Sequence, residues 1–166
     1  MIGQFRAKLN EIGLMSHIKA HFSLWSGLLC VSPKVLTDVD VINLFEYATS
    51  RTGTVNRQKE KDFVYYFNRF ITRVYSSMVK YNELTITLND VLEFFTGGSS
   101  MPLGGFSKKI DCEFYNASWI NDACQPLPRV QTCGLVFHSP RNFKSYEQVE
   151  KVLSMVIMEC KDFGLG

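Results

Sequence analysis

The residue best suited to chemistry in this chain is Cys133, which closes the stretch LPRVQTC at residues 127–133. Pro126 and Pro128 fix the backbone φ angle and remove amide donors, so they keep the approaching chain extended and exclude a helix. We therefore expect Cys133 at the edge of a strand, presented by a loop, where a thiol is accessible as a nucleophile. On residue type alone the alternative is a structural thiol, because free cysteine often packs as a small hydrophobe.

The sequence offers no evident acid–base partner for this thiol. His138 lies five residues further on and, if the strand continues, faces away from Cys133. The sequence therefore gives little support to a papain-like cysteine hydrolase, which would need a Cys–His pair. Exchange of an acyl group between thiols does not need such a base, because correct positioning can drive that reaction. Arg129 and Lys144 are nearby cations in the sequence that could favour the thiolate.

Two sets of residues have metal-binding side chains without metal-binding spacing. His17 and His21 can share one helix face, but neither a third ligand nor an HExxH sequence accompanies them. The second set lacks the close pairs of a zinc knuckle; it comprises Cys112, Cys124, Cys133 and His138. The sequence therefore implies neither a metal site nor a cofactor.

Composition indicates a globular protein with its own core, since 46% of the residues are hydrophobic and 20% are charged. The net charge of +2 is too small to predict binding to nucleic acid or to an anionic membrane. Five cysteines without a CxxC pair predict reduced thiols, and hence a cytoplasmic and/or nuclear location. The longest apolar stretch, around residues 24–31, is too short and too interrupted to span a bilayer.

Hydrophobic periodicity predicts an α+β fold. The strongest helix is predicted from apolar residues at three- and four-residue steps: Phe63, Tyr66, Phe67, Phe70, Ile71, Val74 and Met78. Capping boxes start two further helices, one at Thr87 with Asp90 and one at Ser145 with Gln148. The last helix is expected to bury Cys160. Strands are predicted over residues 106–112, 114–120 and 130–137, the third of which carries Cys133.

The chain divides into three stretches of different character. Residues 1–50 have the spacing of helices and connectors, including a short helix capped by Thr37 or Asp38 that runs through Phe45. Residues 51–57 are polar, aperiodic and glycine-containing, as is typical of a linker or hinge. Residues 58–166 contain the aromatic helix, the predicted strands and Cys133.

The ordered set of motifs resembles the C-terminal lobe of HECT-type ubiquitin ligases. The chain has TGGSSMPLGGF at residues 96–106, LPRVQTC at 127–133 and the ending FGLG at 163–166, in the order of that family. The resemblance implies that residues 58–166 form the lobe with the catalytic cysteine. It also implies that residues 51–57 are the hinge between lobes, and that residues 1–50 are a helical remnant of the larger N-terminal lobe.

The function that this resemblance implies is ubiquitin-protein transfer. Cys133 would accept the C-terminal glycine of ubiquitin as a thioester, and a substrate lysine would then attack it. Thr132 would help to place the thioester, and Phe163, fourth from the end, would orient the lobe. The implied partners are ubiquitin, substrate proteins, and a ubiquitin-conjugating enzyme bound through the N-terminal lobe. No cofactor, nucleic acid or membrane is implied.

Departures from the family pattern support a second hypothesis. Gly134 and Leu135 replace the usual Phe-Asn after the cysteine, and Gln131 stands where the family often has histidine or asparagine. The roughly 50 residues before the predicted hinge are several times fewer than those of the family's N-terminal lobe. The alternative is a non-catalytic module that retains the fold and binds ubiquitin or the rest of a ligase.

Overall fold

A computed structural model describes residues 2–29, 35–102, 105–117 and 126–163 of this chain. Contacts between residues divide it into two compact units, Met1–Val35 and Leu36–Gly166. The first unit contains three consecutive helices: α1 (Ile2–Glu11), α2 (Leu14–Ala20) and α3 (Phe22–Leu29). Within the described stretches, no helix has both the length and the apolar character needed to cross a membrane.

The second unit is mixed α and β, so the predicted α+β class is confirmed. Its helices are α4 (Asp38–Ile42), α5 (Val55–Tyr75), α6 (Leu88–Thr96) and α7 (Tyr146–Phe163). Its strands are β1 (Phe45–Ala48), β2 (Lys80–Tyr81), β3 (Leu84–Thr85), β4 (Ile110–Tyr115), β5 (Arg129–Gln131) and β6 (Val136–Pro140).

Four of the strands form a sheet in the order β1-β4-β6-β5. The central strand β4 runs parallel to both β1 and β6, whereas β5 is antiparallel to β6. Alternate residues of β4 are buried, so one face of the sheet belongs to the core. β2 and β3 form a separate two-stranded hairpin.

Phenylalanine rings from the sheet and from the helices meet in the core. Phe137 of β6 lies 4.9 Å from Phe95 of α6 between ring centroids, and Phe45 of β1 lies 4.8 Å from Phe67 of α5. These pairs are near perpendicular, which is a favoured geometry for aromatic rings. The core thus joins both helices to the buried face of the sheet.

Helix α5 follows the predicted aromatic stripe. The Thr54 hydroxyl accepts a hydrogen bond from the Arg57 amide and caps the start of the helix. The buried residues of the helix include five of the seven in the predicted stripe: Phe63, Phe67, Phe70, Ile71 and Val74. Met78 is 63% exposed, because the helix ends at Tyr75 and the chain then turns away.

The structure corrects the expected course of the chain before α5. Thr37 caps α4 in a capping box with Asp40, but the helix ends at Ile42 instead of running through Phe45. Phe45 pairs with Ile110 and is buried, so strand pairing outweighs the local helical pattern. Helix α5 also starts inside residues 51–57, the predicted linker. The assignment of residues 1–50, 51–57 and 58–166 to lobes and a hinge stays a prediction.

The strand predictions need similar corrections. The alternation predicted over residues 106–112 begins only at Ile110, and β4 continues to Tyr115. Part of the second predicted strand, 118–120, lies outside the described residues. The third is interrupted by a turn over residues 132–135, because its chain reverses there and pairs with itself.

The C-terminal helix α7 buries the predicted apolar face, which includes Val149, Val152, Leu153 and Val156. Its start is confirmed at Ser145, whose hydroxyl accepts a hydrogen bond from the Gln148 amide at 3.4 Å. Cys160 is exposed and not part of the core, since the last turn of the helix extends past the buried residues.

Candidate active-site turn

Cys133 lies in the turn that connects β5 to β6. The two strands close the turn with the pair Gln131–Val136. Inside it, the Gly134 amide donates to the Gln131 carbonyl at 3.2 Å, and the Leu135 amide donates to the Thr132 carbonyl at 3.3 Å. The turn leaves Cys133 exposed. The sequence therefore correctly predicts a thiol presented by a loop at a strand edge, but not a strand that continues through it.

Leu135 fixes the far end of this turn. Its φ angle of +49° lies in the left-handed region, which is unusual for a residue with a branched side chain. Its carbonyl accepts a hydrogen bond from the Asp111 amide at 2.9 Å, and its side chain packs against the core. From the sequence, Leu135 stands out only as a departure from the family pattern, so its anchoring role was missed.

The other side of the turn lies beside the end of α6. Gly97 ends that helix in the left-handed conformation, with φ of +75°. A Cβ atom placed on Gly97 would lie 3.7 Å from Cβ of Thr132, which is ordinary contact distance. The fold thus brings the TG sequence at residues 96–97 next to the TC sequence at 132–133. These are two of the motifs that carry the resemblance.

The approach to the turn is held by β4. Pro128 is buried, whereas Leu127 is 42% exposed. The Tyr115 hydroxyl donates to the Leu127 carbonyl at 2.8 Å. Burial raises the pKa of Tyr115, against an opposing effect of Arg129, so the hydroxyl keeps its proton and remains a donor at neutral pH.

His138 is not placed as a base for the thiol. The strand register puts it opposite both Glu113 and Arg129, two residues along β6 from the pair that closes the turn. At ~3.4 Å per residue, this is about 7 Å along the strand. Its Nδ1 atom lies 3.4 Å from a Glu113 carboxylate oxygen. The structure therefore gives no support to a Cys–His hydrolase pair.

The other two described thiols, Cys112 and Cys160, both have a raised pKa. Cys112 is fully buried, and burial raises its pKa well above the usual range, with a further contribution from Glu113. Burial followed by the charge of Glu159 raises the pKa of Cys160. Both therefore hold their protons more tightly than an ordinary thiol does.

The structure describes part of the two sets of metal-binding side chains whose spacing does not predict a metal site. The ring centroids of His17 and His21 are 4.7 Å apart, but the described residues contain no cluster of three or more His, Cys, Asp or Glu that could hold a metal ion. Cys124 lies outside those residues.

Of the three predicted site residues, Thr132 and Cys133 are neighbours in the turn. Phe163 is the last residue of α7; its side chain lies outside the described structure, so its orienting role stays a prediction.

Residues 29–166 match the HECT-domain (ubiquitin-transferase) family, and the chain therefore belongs to this family. A curated relative is the G2/M phase-specific E3 ubiquitin-protein ligase of Gallus gallus, which is 31% identical over 110 residues. That alignment covers 66% of this chain and 14% of the relative, so the chain spans only a small part of the length of this relative. The family predicted from the motifs is confirmed.

Proposed function

We propose that this chain transfers ubiquitin through a thioester on Cys133. The observation that carries the proposal is the exposed thiol in a turn that is anchored on both sides, within a chain of the HECT-domain family. A thioester acceptor has to be reachable by a protein-sized acyl donor, and a turn at the sheet edge is more open than a cleft. Cys112 lacks this access because it is buried.

The proposed reaction has two steps. The Cys133 thiolate attacks the carbonyl carbon of the C-terminal glycine of ubiquitin, and the thiolate of a conjugating enzyme leaves. The amine of a substrate lysine then attacks the new thioester, forms an isopeptide bond and regenerates the Cys133 thiol. Neither step changes an oxidation state. The proposed reaction needs no cofactor, because the acyl group is already activated as a thioester.

Thr132 and Phe163 have supporting roles in this proposal. Thr132 would help to place the thioester; its exposure next to the thiol and its side-chain contact with Gly97 support this role. Phe163 would orient the loaded lobe toward the lysine. The proposed partners are ubiquitin, a ubiquitin-conjugating enzyme and substrate proteins. The proposed location is the cytoplasm and/or the nucleus, where free thiols such as Cys133 persist.

A loading assay with a ubiquitin C-terminal thioester tests this proposal without a conjugating enzyme. We expect an adduct that thiol reductants cleave, and we expect Cys133→Ala to abolish it. Cys160→Ser is the matched control, since it removes another exposed thiol and should leave loading unchanged. Loading that survives Cys133→Ala, or that falls equally in Cys160→Ser, would overturn the assignment of Cys133.

Phe163→Ala separates the two steps. We expect it to slow transfer from the loaded protein to free lysine more than it slows loading, because the proposed role of Phe163 is to orient the lobe. The measurement follows the decay of the purified adduct in lysine-containing buffer. An equal loss in both steps would contradict an orienting role.

The second candidate is a non-catalytic module that binds ubiquitin or the rest of a ligase. The observation that favours it is the departure from the family pattern directly after Cys133, where Gly134 and Leu135 replace the usual Phe-Asn and Leu135 has a left-handed backbone. This hypothesis predicts ubiquitin binding that Cys133→Ala does not weaken, together with no adduct in the loading assay. An adduct that requires Cys133 would exclude it.

A further inference from the structure

A cavity of about 390 Å³ lies among α5, β2 and α7. None of these three elements carries Cys133, so the cavity is separate from the candidate active-site turn. Binding in this cavity would therefore not involve the proposed thioester chemistry.

The walls of this cavity carry an excess of positive charge. Four basic side chains line it: Arg69, Arg73, Lys80 and Lys151. Two acidic side chains, Glu147 and Glu150, also line it, which leaves an excess of two positive charges. A hydrogen bond from Ser145 holds the pKa of Glu147 below its usual range. Glu147 is therefore negatively charged at neutral pH, as the charge count assumes.

The two arginines are held in place before any ligand arrives. The guanidinium carbon of Arg69 lies 4.4 Å from the centroid of the Tyr146 ring, and that of Arg73 lies 5.6 Å from it. Glu150 accepts a hydrogen bond from the Tyr146 hydroxyl and lies 3.4 Å from Nε of Arg73. Stacking of guanidinium groups on an aromatic ring reduces the freedom they would lose on binding an anion.

Two polar atoms of the cavity walls lack hydrogen-bond partners. Ser154 is only 3% exposed, and its hydroxyl oxygen has no partner. Nε of Arg73 is also buried without a hydrogen bond, since its approach to Glu150 lacks hydrogen-bond geometry. A buried polar group without a partner destabilises the protein, so both donors favour a ligand with acceptor oxygens.

We propose that this cavity binds a phosphate monoester group. Such a group has a charge of roughly −1.5 to −2 at neutral pH and three acceptor oxygens, which suits two excess positive charges and two donors that lack hydrogen bonds. The cavity is larger than one phosphate, so it also accommodates part of the group that carries the phosphate. The carrier is either a phosphorylated side chain of a protein or a small soluble phosphate ester.

Calorimetric titration of the full chain with sodium phosphate, at ionic strength held constant with sodium chloride, tests the proposal. We expect saturable binding at one site per chain. Ser154→Ala should weaken it several-fold while leaving the free energy of unfolding unchanged or increased, because it removes an unpaired buried hydroxyl. A merely structural role for Ser154 would not produce this combination.

Removal of a basic side chain and removal of an acidic side chain from the cavity walls should change phosphate affinity in opposite directions. Lys80→Gln and Lys151→Gln alter exposed residues, so they should fold, and each should weaken phosphate binding about threefold. Glu147→Gln should strengthen it by a similar factor. Lys109→Gln is the matched control, since Lys109 is an exposed lysine that does not line the cavity. Absence of saturable binding, or an equal loss in Lys109→Gln, would overturn the proposal.

A short phosphoserine peptide distinguishes the two carriers. Tighter binding of this peptide than of inorganic phosphate supports the site and identifies its ligand as a phosphorylated protein. Equal binding supports the site and shows that it recognises the phosphate group without the peptide, as a site for a small phosphate ester would. If the peptide binds equally well without its phosphate, the cavity does not recognise phosphate and the proposal fails.

Discussion

Glu60 is a fully buried carboxylate that joins three parts of the second unit. Its oxygens accept hydrogen bonds from the Ser50 amide at 2.6 Å, from the Ser50 hydroxyl at 2.7 Å and from Nε of Arg141 at 2.6 Å. A buried charge is tolerable only when it is paired and hydrogen-bonded, and Glu60 meets both conditions. It thereby ties the segment before α5 to the chain that follows β6.

Glu60→Gln should therefore be strongly destabilising. It leaves the Arg141 guanidinium without its carboxylate, and breaking such a buried pair costs about 3–5 kcal/mol. Urea unfolding measures the loss, with the exposed Glu93→Gln as the control. A loss comparable to that of the control would mean that the pair contributes nothing net.

The same pair predicts how stability depends on pH. Burial by itself raises the pKa of Glu60, but hydrogen bonds from Arg141 and Ser50 outweigh burial and hold it below its usual value. A lowered folded-state pKa adds stability that is present above the unfolded pKa, about 4.3, and is lost as the pH falls through the folded value. Glu60→Gln should accordingly flatten the acid side of the stability profile. If the free energy of unfolding of Glu60→Gln falls with decreasing pH as steeply as that of the unsubstituted protein, groups other than Glu60 cause this pH dependence.

The turn between β2 and β3 contains a strained residue. Asn82 and Glu83 both have positive φ angles, +47° and +65°, as a two-residue hairpin turn requires. Asparagine and glycine suit this turn, whereas glutamate is strained in it. Glu83→Gly should stabilise the protein by about 0.5–1 kcal/mol in urea unfolding. Glu83→Ala removes the carboxylate but keeps the strain, so a similar gain from Ala would refute the backbone explanation.

At the scale of elements, the end of α6 positions one side of the candidate active-site turn. Gly97→Ala forces a side chain into the left-handed region and should cost about 1–2 kcal/mol. The added Cβ meets Thr132 only at ordinary contact distance, so the cost comes from the backbone and not from a clash. The neighbouring Gly98→Ala lacks a positive φ and is the control in thermal unfolding. Equal losses in both variants would contradict this origin.

The helices of this protein are predictable from sequence because their signals are local. Capping residues such as Thr37 and Thr87, and the aromatic stripe of α5, depend only on spacing of three or four residues. The strand β1 was missed because Phe45 becomes a strand residue only through its pairing with Ile110. Cys133 could be singled out from its motif, but the contacts of Leu135 and Gly97 that fix its turn join distant parts of the sequence.

The core formed by the described residues belongs to a single unit. All residues of the described core cluster lie between Val41 and Ile157, within Leu36–Gly166. A chain that starts at Leu36 should therefore unfold cooperatively, with nearly the same urea midpoint and near-ultraviolet circular dichroism as the full chain. Loss of the near-ultraviolet signal on this deletion would show that the core depends on residues 1–35.

The long stretch of sequence between α5 and the elements that bury it has a consequence for synthesis of the protein. The phenylalanines of α5 leave the ribosome well before β6 and α7, which bury them in the folded protein, have been synthesised. Phe137 follows Phe67 by 70 residues, so at a translation rate of ~5–20 residues per second it is added about 3.5 to 14 seconds later. During that interval the nascent chain carries an exposed aromatic stripe, which is the kind of surface that chaperones bind.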